Sequence, residues 1–410
     1  MSQKNAFVVG TFDTKSEELN YIVGVLKTSG LSVKTVDLST SGNPSSADVK
    51  PADIAASHPD GKDAVFTGDR GTAVAAMAKA FEIWTAEQAD NIGGMISAGG
   101  SGGTALSTPA MRALSIGTPK VMVSTVASGN VEPYVGPSDM IMMYSVTDVQ
   151  GLNGISRKVL GNAAGALSGM LLNVPEVTAS GDEKPGLGLT MFGVTTTAVQ
   201  AVMEKTKSTY EPFVFHATGV GGRSMEKLVD SDFLDAVIDL TTTEVCDLLM
   251  GGVFAATDDR FGAIIRKKIP YVGSVGALDM VNFGAPETVP AHYSGRDFYE
   301  HNPQVTLMRT TPEENVKMGT WIAQRLNKME GPVRFLLPEG GVSALDAPDM
   351  PFYNLEARNA LYEALTKEFV PSDSRQIVRV DNHINDPDFA TAVVDALNAC
   401  LLYTSPSPRD

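Results

Sequence analysis

The sequence predicts an α/β protein of two Rossmann-like subdomains, each a mainly parallel sheet flanked by helices. Three observations carry that prediction. Short apolar runs recur, each followed by a Gly/Ser/Thr loop and then a stretch of helical periodicity, as a parallel sheet with crossover helices requires. The 410 residues, at about 150 per domain, give two large domains or three small ones. A polar, breaker-rich stretch, Thr178-Ala179-Ser180-Gly181-Asp182-Glu183-Lys184-Pro185-Gly186, interrupts the pattern, which restarts beyond it. The expected domains are residues 1–182 and 187–402. Residues 403–410, a Ser/Pro segment that can neither pack nor pair its backbone, are expected to be a disordered, non-native tail.

In the first lobe, the apolar run Phe7 to Val9 predicts a strand leading into Gly10-Thr11-Phe12-Asp13-Thr14-Lys15 and an amphipathic helix that ends near Gly30. Strands follow at Val33 to Leu38, Ala64 to Thr67, Met95 to Ala98, Val121 to Val126 and Met140 to Val146. A small-residue helix from about Gly154 to Leu172 closes the lobe. In the second lobe, strands are predicted at Leu187 to Val194, Phe213 to His216, Ala236 to Leu240, Val305 to Met308, Arg334 to Leu337 and Ile377 to Val380. Helices start at Pro312 and at about Asp386. Both lobes open with strand, Gly-x-x-x-Thr, then helix (Gly10 with Thr14, Gly193 with Thr197), the pattern of a repeated unit, although later spacings do not align.

Composition narrows the function. The 32 Lys plus Arg against 48 Asp plus Glu give a net charge of -16, which argues against nucleic acid as a partner. The first lobe (residues 1–180, 12 basic against 16 acidic, -4) is a less repulsive host for a polyanion than the second (20 against 32, -12). Cys246 and Cys400 have no CxxC spacing, so neither a disulfide framework nor a zinc ribbon is encoded, and a reducing cytoplasm is expected. No apolar stretch approaches membrane-spanning length, so no membrane partner is expected. The five histidines are scattered and define no metal site.

Gly99-Gly100-Ser101-Gly102-Gly103-Thr104 stands where a buried strand turns into a helix. Such a segment exposes successive backbone N–H groups beside a helix dipole and suits phosphate or carboxylate, although it is neither a Walker A nor a GxGxxG sequence. The alternative is a strand-to-helix turn that merely avoids steric conflict. Lys15 and Arg70 are the expected charge partners for phosphate, and Asp13 is placed toward Mg²⁺ or a ribose hydroxyl. Thr14 is expected among the nucleotide-binding residues, the alternative being a helix N-cap that forms a capping box with Glu17. Gly68 and Asp69, on a second loop edge beside Arg70, are expected to bind nucleotide with it, although this loop equally fits a solvated turn. In the second lobe, Gly219, Gly221, Gly222, Arg223, Ser224 and Asp346 are the expected substrate-binding residues, with His216 and Glu339 as acid/base candidates, Asp346 and Glu339 lying on one long loop. A lone histidine at a strand end is otherwise a hydrogen-bonded structural residue.

GTFDTK (Gly10 to Lys15), SAGGSGGTAL (Ser97 to Leu106), FHATGVGGRSME (Phe215 to Glu226), DLTTTEV (Asp239 to Val245) and PEGGVSALDAPDMPFYN (Pro338 to Asn354) together resemble one family. It is the uncharacterised family typified by the N-terminal ATP-binding domain of a plant tobamovirus-resistance protein. The resemblance covers essentially residues 5 to 400 and implies two Rossmann-like subdomains, a homodimer or larger assembly, and a nucleotide site. The expected function is that of a cytoplasmic ATP-binding enzyme acting on a small acidic metabolite with Mg²⁺-nucleotide. The alternative is a noncatalytic nucleotide-binding regulatory or interaction module.

Overall fold

The computed structural model describes residues 5–173 and 184–402. The chain divides into two units, Met1–Thr178 and Ala179–Asp410. Residues 178–183 of the expected linker and the 403–410 tail lie outside the described residues.

Unit 1 is built on β1 (Asn5–Gly10), β2 (Val33–Asp37), β3 (Ile92–Gly99), β4 (Lys120–Ser124) and β5 (Ile141–Tyr144), paired in the order β2-β1-β3-β4-β5. Every pairing is parallel. Alternation along β1 explains the two-faced core. Phe7 and Val9 pack on one side with Met77, Phe81, Leu106 and Met111, while Ala6 and Val8 pack on the other with Leu19, Ile22, Leu160 and Leu167. The helices Arg70–Glu87 and Ser101–Ala113 thus cover one face, and Phe12–Thr28 and Gly154–Leu172 the other.

Two local expectations change in unit 1. Residues 64–67 form no strand: Lys62–Ala64 is a 3₁₀ turn between Gly61 and Gly68, whose φ values of 81° and 80° turn the chain too sharply for pairing. Val65 still anchors this segment in the core. The N-cap of the first helix is Thr11 rather than Thr14, because helical backbone begins at Phe12. The Phe12 amide is taken by Asp37 Oδ1 at 3.1 Å, so no capping box at Thr14 is needed.

Unit 2 contains a parallel sheet of β6 (Gly186–Met191), β7 (Glu211–His216), β8 (Ala236–Thr241), β9 (Tyr271–Gly276), β13 (Val333–Pro338) and β14 (Arg375–Val380). Between them in sequence lie β10 (Met280–Phe283), β11 (Phe298–Asn302) and β12 (Val305–Arg309), which form a separate antiparallel sheet in the order β10-β12-β11. The large sheet runs β14-β13-β9-β8-β6-β7. As in unit 1, the first strand has its successor on one side and its third strand on the other. β9, β10 and β11 escape the apolar-run pattern: Gly273 and Gly276 dilute β9, β10 has only four residues, and β11 is exposed along its whole length. The strand expected at 305–308 exists but pairs antiparallel in the small sheet. Among the described residues, no helix is long and apolar enough to cross a membrane.

Candidate functional site

In an open parallel sheet, ligands collect beyond the carboxyl ends of the strands where the strand order reverses, because the helices on either side diverge there. In unit 1 that point lies between β1 and β3. A cavity of about 530 Å³ lies at these strand ends, lined by Gly10, Thr11, Asp13, Thr14 and Lys15, by Gly68, Asp69 and Arg70, and by Gly99 to Gly103. Three loops far apart in sequence are thereby brought together. Sequence reading missed Thr40, Ser41 and Asp148, which also line it. Thr104 does not: it is buried, with its hydroxyl 2.8 Å from the Gly100 carbonyl and 2.6 Å from Ser124 Oγ.

Three helices begin at this cavity, and their free amides differ. At Phe12–Thr28, Asp37 Oδ1 takes the Phe12 amide and Ser39 Oγ takes the Asp13 amide at 3.2 Å. At Arg70–Glu87, Asp69 is the N-cap and accepts from the Thr72 amide at 2.9 Å. These bonds from Thr72 also hold the Asp69 carboxyl below its ordinary pKa. At Ser101–Ala113 the N-cap is Gly100, and no side chain caps the helix. The first amides of this helix therefore retain their capacity for an anion.

The glycines have separate reasons. A Cβ on Gly99 would lie 3.2 Å from the Gly103 Cα, so this pair permits close strand-to-helix approach. A Cβ on Gly102 would meet nothing within 4 Å, although Gly102 lines the cavity. Packing does not demand glycine at Gly102.

The two cations differ as well. Lys15 breaks the helical backbone (φ -126°, ψ 24°), and its ammonium donates to the Val149 carbonyl and, at 3.2 Å, to Gln150 Oε1. Arg70 is exposed at the cavity and makes no ion pair among the described residues. Mg²⁺ commonly enters with phosphate and keeps most of its water, needing only one or two carboxylates. Asp13 and Asp148 can supply these, whereas no group of three or more metal-ligating side chains occurs among the described residues.

Unit 2 handles its glycine motif differently. Gly219 is the N-cap of the helix Val220–Asp230, with φ 78°. Glu244 Oε1 accepts the amides of Gly219 at 2.7 Å and Gly222 at 3.0 Å, so the expected anion site is filled by a carboxylate of the protein itself. A Cβ on Gly222 would strike that carboxylate at 2.0 Å, and one on Gly221 would strike the His216 carbonyl at 1.8 Å. These glycines admit Glu244 and a close turn. Arg223 Nε lies 3.4 Å from the Gly219 carbonyl, and Ser224 donates back to Val220 at 2.8 Å.

Glu244 belongs to a buried charge cluster that sequence reading missed. Arg260 meets Glu226 at 3.0 Å, Asp239 at 2.8 Å and Glu244 at 3.1 Å. Asp239 also accepts from the hydroxyls of Thr190 at 2.6 Å and Tyr271 at 3.0 Å. Burial pushes Glu226 up to about 6 against the pull of Arg260, and raises Glu244 in the same way. Glu226, Asp239 and Glu244 all fall in the quoted motifs FHATGVGGRSME and DLTTTEV. What those motifs build is this network.

The remaining expected residues do not assemble. His216 ends β7, exposed, its ring 5.3 Å from that of Phe192. Glu339 follows β13 and pairs with Arg379 at 2.7 Å. Four strand spacings, or about 19 Å, separate β7 from β13, too far for one substrate to receive protons from both. Asp346 is fully buried and bound to Arg358 at 3.0 Å, a structural pair rather than a ligand contact.

Unit 1 therefore has the form of a Rossmann-like unit: an open parallel sheet whose reversal point faces an uncapped, glycine-rich helix start. The chain belongs to the Uncharacterised protein family (UPF0261), matching its N-terminal domain over residues 4–176 and its C-terminal domain over residues 184–401. A family member from Mesorhizobium japonicum is 54% identical, covering 96% of this chain and 99% of its own. One from Clostridium tetani is 44% identical, covering 96% and 98%. The ToMV resistance protein Tm-1(GCR237) of Solanum lycopersicum is 44% identical over 98% of this chain, which spans 56% of the tomato protein.

Proposed function

We propose that this protein binds ATP, as its magnesium complex, in the unit 1 cavity. The observation that carries the reading is the helix start at Gly100 to Gly103, which alone of the three at the cavity has no side-chain cap and keeps glycine at an open position. In this reading the phosphates lie on the Ser101, Gly102 and Gly103 amides, and Arg70 reaches the outer phosphate. Asp13 or Asp148 takes part in the Mg²⁺ shell. Ala73, Val74 and Leu106 offer an apolar wall to the rest of the nucleotide. Titration calorimetry with ATP and Mg²⁺ tests it: saturable heat supports the proposal, and no heat with no thermal shift refutes it.

As an enzyme, the protein transfers phosphoryl or nucleotidyl groups to a small acidic metabolite, with Asp13 or Asp148 as the carboxylate nearest the phosphates. As a noncatalytic module, working as a homodimer or larger assembly in the cytoplasm, it binds nucleotide without turnover. The separation of His216 from Glu339 and the self-filled Gly219 site favour the second reading. Release of ADP, AMP or phosphate in a screen of acidic metabolites distinguishes the two.

A further inference from the structure

The antiparallel sheet of unit 2 ends on an open edge. β11 is its outer strand and is exposed along its whole length, Phe298 by 41% and Tyr299 by 36%. The Arg309 amide donates to the Asp297 carbonyl at 2.9 Å, so by the alternation of an antiparallel ladder Asp297 and Tyr299 turn their backbone groups to β12, and Phe298 and Glu300 turn theirs outward. A register shift between Glu300 and Asn302 ends the regular edge there. The side chains of Phe298 and Glu300 share one face of the sheet, where they line a groove of about 470 Å³ with Pro286, Val289, Pro290 and Ala291. Tyr293 fixes the segment that carries these four, its hydroxyl donating to the Met250 carbonyl at 2.8 Å.

Edge strands are ordinarily guarded against further pairing by proline or by cationic side chains. The two edges of the large sheet are guarded in this way, β7 by Pro212 and β14 by Arg375 and Arg379. Phe298–Asn302 has no proline, lysine or arginine. The exposed charges on and beside it, Glu287, Asp297 and Glu300, are acidic, and Arg296, the single arginine of residues 286–302, is bound to Glu314 at 2.7 Å. A cationic segment is therefore complementary to this edge. A second copy is not. Pairing two β11 strands about a two-fold axis through Tyr299 sets each Phe298 against the other copy's Glu300, and an axis through Glu300 sets two carboxylates together, in a chain of net charge -16. An axis through Phe298 needs the Arg296 amide, which already donates to the Tyr293 carbonyl at 3.2 Å.

We propose that β11 takes an extended, basic and apolar segment of a partner protein as an added antiparallel strand. The outward backbone groups of Phe298 and Glu300 supply main-chain hydrogen bonds whatever the partner's sequence, and the groove selects alternate side chains. Antiparallel addition sets one residue of the segment opposite Glu300 and the residue two further on opposite Phe298, both on the groove face. The first is Lys or Arg, which meets the carboxylate. The second is Leu or Phe, which lies against the Phe298 ring and the Pro/Val/Ala wall. The segment therefore reads basic-x-apolar. The site is independent of the nucleotide reading of unit 1.

The test uses the full chain and the end-blocked, fluorescein-labelled peptide Thr-Ser-Lys-Thr-Leu-Thr-Ser, titrated by fluorescence anisotropy. Replacing the peptide's Lys by Glu is expected to weaken binding about tenfold. Glu300→Lys, at an exposed position, should melt as wild type does and reverse that preference. N-methylation of the peptide's Lys and Leu, whose amides face β11, should abolish saturable binding, whereas N-methylation of the Thr between them, whose amide faces away, should leave affinity within about twofold. Hydrogen exchange across residues 298–300 should slow at least fivefold when the peptide saturates the protein. No saturable binding, equal affinity of the two N-methylated peptides, or an unaltered Lys preference in Glu300→Lys overturns the proposal. Loss of self-association in Glu300→Lys by sedimentation assigns the edge to a second copy and overturns it too.

Discussion

At the scale of the residue, identical amino acids in look-alike motifs serve opposite ends, and the deciding quantity is what occupies the space a side chain would take. Gly102 faces open cavity, whereas Gly222 faces Glu244 Oε2. Gly102→Val is accordingly expected to abolish MgATP binding by calorimetry while leaving the circular dichroism melt of the protein near wild type. Arg260→Met has a different outcome. It leaves Glu226, Asp239 and Glu244 buried without their shared cation, a loss of about 3–5 kcal/mol or more in urea unfolding of unit 2. His216→Asn, at the exposed end of β7, should leave any nucleotide turnover within about threefold of wild type, against the 10²- to 10⁴-fold loss typical of a general base.

At the scale of the element, helix starts sort into closed and open ones according to which strand end lies beside them. Asp37, at the end of β2, closes Phe12–Thr28 through the Phe12 amide and also accepts from the Ser39 amide at 2.9 Å. Asp37→Ala is expected to cost unit 1 about 1–2 kcal/mol in denaturant unfolding, and MgATP should still bind, because the open helix start is at Ser101–Ala113. An aspartate at the end of the second strand resembles the ribose-binding acid of dinucleotide sites by position. Here its Oδ1 is committed to the protein backbone.

At the scale of the molecule, the two units carry separate cores and opposite solutions to the same strand order, so ligand and pH should act on them separately. Calorimetric unfolding is expected to show MgATP raising the transition of unit 1 alone. The pH effect of buried, raised carboxyls belongs to unit 2. Burial pushes Asp247 and Asp279 up to about 7 and Glu226 to about 6, well above the roughly 4 of an unfolded carboxyl. The folded state thus holds protons the unfolded state has already released, so stability is greatest at the acid end and declines as pH rises from about 4 to about 7. Asp247→Asn removes the titrating carboxyl but keeps an oxygen for only one of the two amides, since Oδ1 accepts from Asn282 and Oδ2 from Phe254, so it should lower stability at every pH while flattening that decline in melts recorded across the range.

Much of this was legible without coordinates. Runs such as Phe7 to Val9 and Ala236 to Leu240 mark strands buried on both faces, and the glycine segment after β3 marks a strand-to-helix junction, because apolar period and backbone freedom are local properties. Strands without that signal, such as the exposed β11, were not legible, nor was the antiparallel pairing of Val305–Arg309. The sequence by itself determined the α/β class, the two-lobed pattern and the loops at which an anion can be held. Only the tertiary structure decided which loop stays open, because a helix amide is satisfied by whichever carboxylate the sheet order brings to it. Glu244 reaches Gly219 and Gly222 across more than twenty residues of chain, and no comparable carboxylate caps the helix at Gly100.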